Sequence, residues 1–136
     1  METIVDTDIF VAADRGRLNL PELLTSYSER RFYISVITAS ELLHGVHRAN
    51  EPKIRARREA FVEAILVEYE ILEIDLRIGR IRAQISSGLE STGQIIGPND
   101  LWIAATCLGH NMTLLTGNIR EFGRVPGLQI EDKAQK

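Results

Sequence analysis

The sequence predicts an α/β fold: a doubly wound, mainly parallel sheet of four to five strands with helices on both faces. Two observations carry this expectation. Short apolar runs alternate along the chain with longer stretches whose apolar residues repeat at helical spacing. The 136 residues, 44% apolar and 26% charged, also suit one domain that buries roughly two-thirds of the surface of its unfolded chain. No internal repeat, low-complexity tract or linker interrupts residues 1–136, so a single domain is expected.

Each element follows in order. Thr3-Ile4-Val5 is a short strand running into Asp6. Thr7 to Ala13 reads as a helix start, and Leu18 to Glu29 as a second helix. Arg31 to Ser35 is the next strand, followed by a helix over Val36 to His47 that Asn50-Glu51-Pro52 breaks. Lys53 to Tyr69 is the longest helical stretch, with Phe61, Ala64, Ile65 and Tyr69 at helical spacing. Ile71 to Ile74 is a third strand, and Leu76 to Leu89 a helix with Ile78, Ile81, Ile85 and Leu89 on one stripe. Ser91 to Gln94 is a loop. Gly97-Pro98 opens a helix that runs to about Gly109, since proline suits a first turn and glycine a position just past an end. Met112 to Thr116 is a fourth strand and Leu128-Gln129-Ile130 a short fifth, and an unstructured tail is expected only over Glu131 to Lys136.

Composition narrows the function classes. The net charge of −3 argues weakly against nucleic-acid binding. Only Lys53, Lys133 and Lys136 among the 16 basic residues are lysines, however, and arginine is the better side chain for forked phosphate contacts. The single cysteine, Cys107, excludes an internal disulfide and a cysteine metal cluster, and a reducing compartment follows. No signal peptide opens the chain and no apolar run is long enough to span a membrane, so a cytoplasmic protein is expected.

In doubly wound sheets, ligands bind beyond the carboxyl ends of the strands. Asp6-Thr7-Asp8 follows the first strand, Glu41 lies in the helix after the second, Asp100 in the first turn of the Gly97-Pro98 helix, and Thr116-Gly117-Asn118 ends the fourth strand. Carboxylates gathered there would repel one another and resist desolvation. A hard divalent cation such as Mg²⁺ or Mn²⁺ removes that cost, lowers the pKa of a bound water and neutralises charge building on a phosphodiester. Each residue alone also has a structural explanation. Asp6 or Asp8 suits a helix cap, Thr38-Ala39-Ser40-Glu41 matches a capping box, and Asp100 suits the positive end of a helix dipole. Trp102 and Cys107 read as packing residues, and His44, three residues beyond Glu41, could line the site.

Taken together, these segments resemble the PIN-domain family, and in particular VapC toxins of bacterial toxin–antitoxin pairs. The carriers are Ile4 to Phe10, Ile34 to Val46, Ile96 to Ala105, and Thr116-Gly117-Asn118 with Arg120-Glu121-Phe122 and Val125-Pro126-Gly127-Leu128. The resemblance spans nearly the whole chain. It implies a PIN-like sheet and an Mg²⁺- or Mn²⁺-dependent endoribonuclease that cuts structured RNA such as tRNA or ribosomal RNA by metal-activated water. It further implies a homodimer silenced by a small antitoxin. By position, Asp6, Glu41 and Asp100 are the implied metal ligands and catalytic acids, with Thr116 a catalytic hydroxyl and Thr7 a supporting one. Many PIN domains carry an aspartate where Asn118 stands, so Asp8 and Asn118 are candidate groups for a second metal or an outer shell, with Glu121 a further substitute.

Two rival readings use the same residues. A haloacid dehalogenase-like phosphatase also opens on Asp-x-Asp, but Phe10 stands where that family expects Thr or Val, and no lysine lies between Lys53 and Lys133. A non-catalytic RNA- or protein-binding PIN-like module would explain Asn118 and leave the three retained carboxylates unexplained. The basic cluster of Arg48, Lys53, Arg55, Arg57 and Arg58 reads as a solvated helix face with pairs such as Arg55 and Glu59, or as a phosphate-steering patch or antitoxin groove.

Overall fold

Ile4 and Val5 are adjacent in sequence and both fully buried, which requires a strand covered on both faces. In the computed structural model, which describes residues 2–27 and 29–133, that strand is β1 (Glu2–Val5) at the centre of the sheet. It is followed by α1 (Thr7–Asp14), α2 (Leu20–Thr25), β2 (Arg31–Ser35), α3 (Val36–Arg48), α4 (Pro52–Glu68) and β3 (Glu70–Leu72). Then come α5 (Leu76–Ser91), α6 (Pro98–His110), β4 (Thr113–Thr116), α7 (Ile119–Phe122) and β5 (Ile130–Asp132). All four pairings in the five-stranded sheet are parallel, in the order β3-β2-β1-β4-β5.

Side-chain alternation divides the interior into two cores. Ile4, Tyr33 and Leu114 face a cluster with Ile78, Ile85, Ile103 and Phe122, under α5, α6 and α7. Val5, Ile34 and Leu115 face a second cluster with Ile9, Phe10, Leu23, Leu42 and Ile65, under α1 to α4. Truncating a fully buried residue such as Leu114 to alanine would cost about 2–5 kcal/mol.

The chain runs outward from β1 to β2 and β3, then crosses back to lay β4 on the other side of β1. The order therefore reverses between β1 and β4, the point at which doubly wound sheets bind ligands beyond the carboxyl ends of the strands.

The doubly wound parallel sheet is as the sequence predicts, and several boundaries differ. The Leu18 to Glu29 helix shrinks to Leu20–Thr25. Asn19 caps its start by accepting from the Glu22 N–H at 3.0 Å, and the Ser26 hydroxyl takes the Leu23 carbonyl at 2.5 Å, which competes with continuation. The third strand stops at Leu72, and α5 runs on to Ser91. The fifth strand begins at Ile130 and not Leu128, so Glu131 and Asp132 belong to the sheet and not to a tail. Residues 134–136 lie outside the described residues.

Candidate active site

Four of the singled-out segments meet at the switch-point edge because each follows a strand or lies in a helix that starts there. Asp6, 4% exposed, ends β1 and caps α1. Its Oδ1 accepts from the Thr7 N–H at 2.8 Å and its Oδ2 from the Thr116 hydroxyl at 2.7 Å. The cap expected of Asp6 and its place in the site are thus the same geometry, one oxygen serving each. Thr116 ends β4, and its oxygen also accepts from the Asn118 N–H at 2.9 Å, so Asp6 is tied to the loop after β4.

Glu41 does not form the expected capping box. Ser35 caps α3 by accepting from the Thr38 N–H at 3.1 Å, so the helix starts earlier and Glu41 falls in its second turn. There its Oε1 accepts from the Thr7 hydroxyl at 2.5 Å and its Oε2 from Asn99 Nδ2 at 3.1 Å. Thr7 also lies 2.9 Å from the Thr38 hydroxyl, which fixes its rotamer. Asp100 sits in the first turn of α6, where Gly97 provides no side-chain cap. The Gly97 N–H is met instead by Glu121 Oε1 at 2.7 Å. Asp8 Oδ2 accepts from the Gly117 N–H at 3.0 Å, while Asp8 Oδ1 is buried without a partner. A Cβ on Gly117 would fall 2.8 Å from Asp8 Oδ2 and 2.9 Å from Lys133 Cε, so a larger residue there would have to displace one of these side chains.

Burial dominates the electrostatics, and repulsion between carboxylates adds to it. Burial and the Asp8 charge, with Asp100 behind it, push Asp6 up to about 8 against its hydrogen bond from Thr116. Burial, a hydrogen bond shared with Glu121, and the charges of Glu121, Glu41 and Asp8 push Asp100 up to about 7. The Gly97 N–H holds Glu121 below its usual range, so this pair keeps its proton on Asp100. Cys107 is fully buried, and its thiol is pushed up by burial and by Asp6, which makes it an inert packing residue. Trp102 is occupied by the Arg82 guanidinium stacked 4.6 Å from its ring centre.

Among the described residues, no group of three or more His, Cys, Asp or Glu side chains is drawn together as a finished metal cage. The donor chemistry nonetheless fits a hard divalent cation. Carboxylate and hydroxyl oxygens gather at the edge, two carboxyls there are raised by burial and by neighbouring carboxylates, and one buried carboxylate oxygen lacks a partner.

A family model described as PIN domain matches residues 3–128. The chain belongs to the PIN-domain family. "Ribonuclease VapC1" of Rickettsia felis is 35% identical over 130 residues, covering 96% of this chain and 95% of that protein. The "tRNA(fMet)-specific endonuclease VapC" of Salmonella typhimurium is 35% identical over 102 residues, covering 75% of each. Among solved structures, VapBC2 from Rickettsia felis bound to a DNA fragment from their promoter superposes with a TM-score of 0.87 at 29% identity, covering 97% of this chain and 98% of that one.

Within this PIN domain, Asp6, Thr7, Asp8, Glu41, Asp100, Thr116 and Asn118 all reach the same edge. Asn118 turns toward Glu121 Oε2, 3.4 Å away, so Glu121 supplies charge that the amide lacks. Sequence reasoning passed over Asn99 and Lys133. Asn99 precedes Asp100 directly, which was the available signal. Lys133 had none, because only the β4–β5 pairing carries it to Gly117.

The basic cluster does not form the Arg55–Glu59 pair. Arg55 meets His47 Nδ1 at 3.1 Å, and Arg58 bridges back to Asp14 at 3.1 Å. Among the described residues, no helix is long and apolar enough to cross a membrane.

Proposed function

We propose that this PIN domain is an endoribonuclease that hydrolyses RNA phosphodiester bonds with a divalent cation, Mg²⁺ or Mn²⁺, and acts as the toxin of a toxin–antitoxin pair. The observation that carries the catalytic reading is the strained acidic edge. Asp6 and Asp100 are held close to carboxyl neighbours at the switch point, an arrangement a non-catalytic module has no reason to keep. Asp6, Glu41 and Asp100 would hold the cation, with Asp8 and Glu121 nearest to any second one. A bound cation supplies a water of lowered pKa and offsets charge on the phosphodiester. Thr116 keeps one Asp6 oxygen oriented, and Thr7 with Asn99 aims both oxygens of Glu41.

The substrate class and partner follow from the relatives: a VapC named for tRNA(fMet), and a VapBC pair bound to its own promoter. Structured RNA, tRNA first, is the proposed substrate, and a small antitoxin the proposed partner. A homodimer and a cytoplasmic location belong to the same proposal, and sedimentation of the purified chain checks the first. The phosphatase alternative is disfavoured by the PIN-domain match over residues 3–128 and by Phe10, which stands where that family expects Thr or Val.

Total cellular RNA incubated with the purified protein tests the reading. Discrete fragments are expected with Mn²⁺ or Mg²⁺, none with EDTA, and none from Asp6→Ala. Cleavage that survives EDTA or Asp6→Ala sinks it, and so does a wild-type protein that cuts nothing.

A further inference from the structure

Gly45 lies in the interior of α3 with an ordinary helical backbone, and no atom stands within 4 Å of where its Cβ would be. Glycine in a helix interior destabilises relative to alanine. Neither usual reason for keeping it applies: φ is not positive and no chain approaches closely. What the missing side chain leaves is space, a cavity of about 240 Å³ that opens beside Glu41 and Asn99.

The lining has a definite chemistry. Leu42, Phe61 and Val62 give it apolar walls. Arg58 is fixed in it by Asp14 at 3.1 Å and by the Gly45 carbonyl at 3.2 Å, so its planar guanidinium is pre-set for stacking. Arg15 and Arg48 stand exposed at the rim, and neither makes a side-chain hydrogen bond or ion pair among the described residues. Flat apolar walls, a fixed guanidinium and free cations at the mouth match a nucleobase with its flanking phosphates.

We propose that this cavity is a nucleobase pocket, kept open by Gly45, that takes an unstacked RNA base next to the bond cut at the acidic edge. The proposal rests on the ribonuclease reading and adds where the substrate is gripped. Proteins that read RNA by sequence do so on bases splayed out of loops, because the A-form major groove is closed to side chains. Arg15 and Arg48 hold the phosphates on either side.

Gly45→Ala and Gly45→Leu, each compared with wild type, test this. Three measurements are made: thermal melting, binding of a fluorescent single-stranded oligoribonucleotide with Ca²⁺ in place of Mg²⁺, and cleavage of tRNA in Mg²⁺. Both variants are expected to melt at or above wild type. Gly45→Leu is expected to weaken oligonucleotide binding and raise KM about tenfold while kcat changes little, with Gly45→Ala intermediate. A folded Gly45→Leu that binds and cleaves like wild type overturns the pocket. It is equally overturned if Gly45→Leu loses antitoxin affinity and keeps RNA affinity, since the cavity would then serve a protein. Should Gly45→Leu fail to fold, the Arg15→Ala/Arg48→Ala pair decides. Its salt dependence of binding should flatten by roughly 1.4 in log–log slope, and an unchanged slope counts against the proposal. A wild type that binds the oligonucleotide without ever cutting RNA removes the catalytic reading, while the binding series still decides the pocket.

Discussion

Thr116 shows how much one hydroxyl organises. It donates to Asp6 and accepts from the Asn118 N–H, at full burial. The resemblance implies a catalytic role, and its two hydrogen bonds suit a positioning one. Thr116→Val keeps the shape and leaves a buried carboxyl oxygen and a backbone N–H unpaired, at a cost of about 1–3 kcal/mol for each group stranded. Melting should fall by several degrees, and metal-dependent cleavage by roughly 10–100-fold, as for other residues that orient a metal ligand. Thr116→Ser restores the hydroxyl and should recover most of both. If Thr116→Val melts lower but cleaves at the wild-type rate, the hydroxyl serves folding alone. Glu41 teaches the limits of sequence at this scale. Its capping-box pattern is real, but Ser35 is a competent cap three residues earlier, and which cap wins depends on where β2 ends. That is set by pairing with β1 and β3 and not by local propensity.

Among the elements, periodicity revealed the strands and long helices because burial on both sheet faces forces continuous apolar runs. It failed where side chains bond locally, as at Ser26, and where a polar strand is recruited by its neighbour, as in β5. The longest helix, α4, is legible in another way. Val62 and Ile65 face the core, while Phe61, Ala64 and Tyr69 line an apolar trough of about 610 Å³ shared with Leu20, Leu24 and Phe32. Except for Ala64, these side chains also pack against the core, and the trough they leave open suits an apolar partner segment. On the toxin–antitoxin reading proposed above, an apolar segment of the antitoxin is its fitting occupant. Ala64 is exposed there, and glutamate suits a helix, so Ala64→Glu should leave melting and RNA cleavage unchanged. It should weaken the antitoxin complex at least about tenfold by calorimetry, since it sets a charge in a desolvated contact. Unchanged antitoxin affinity would move the contact elsewhere.

For the whole molecule, function opposes stability at one edge. Asp6 at about 8 and Asp100 at about 7 bind protons more tightly in the folded state than their ordinary value of 3.8 allows in the unfolded chain. Their contribution to stability is complete below about pH 4 and is lost as pH rises through 7 to 8. Over that window the metal-free protein should therefore melt at progressively lower temperature, by several degrees between about pH 5 and 8. A divalent cation binds the ionised carboxylates, so it stabilises most where the metal-free protein is weakest. Mg²⁺ or Mn²⁺ should flatten or reverse the decline and have little effect near pH 5. Asp6→Asn keeps a helix-capping oxygen and removes the charge. It should raise the metal-free melting temperature at pH 8, cut the metal response sharply and abolish cleavage, all readable by calorimetry across pH with and without EDTA. A metal-free protein whose melting temperature climbs from pH 5 to 8 would mean that the edge carries no such repulsion, and the case for a cation there would lose its electrostatic support.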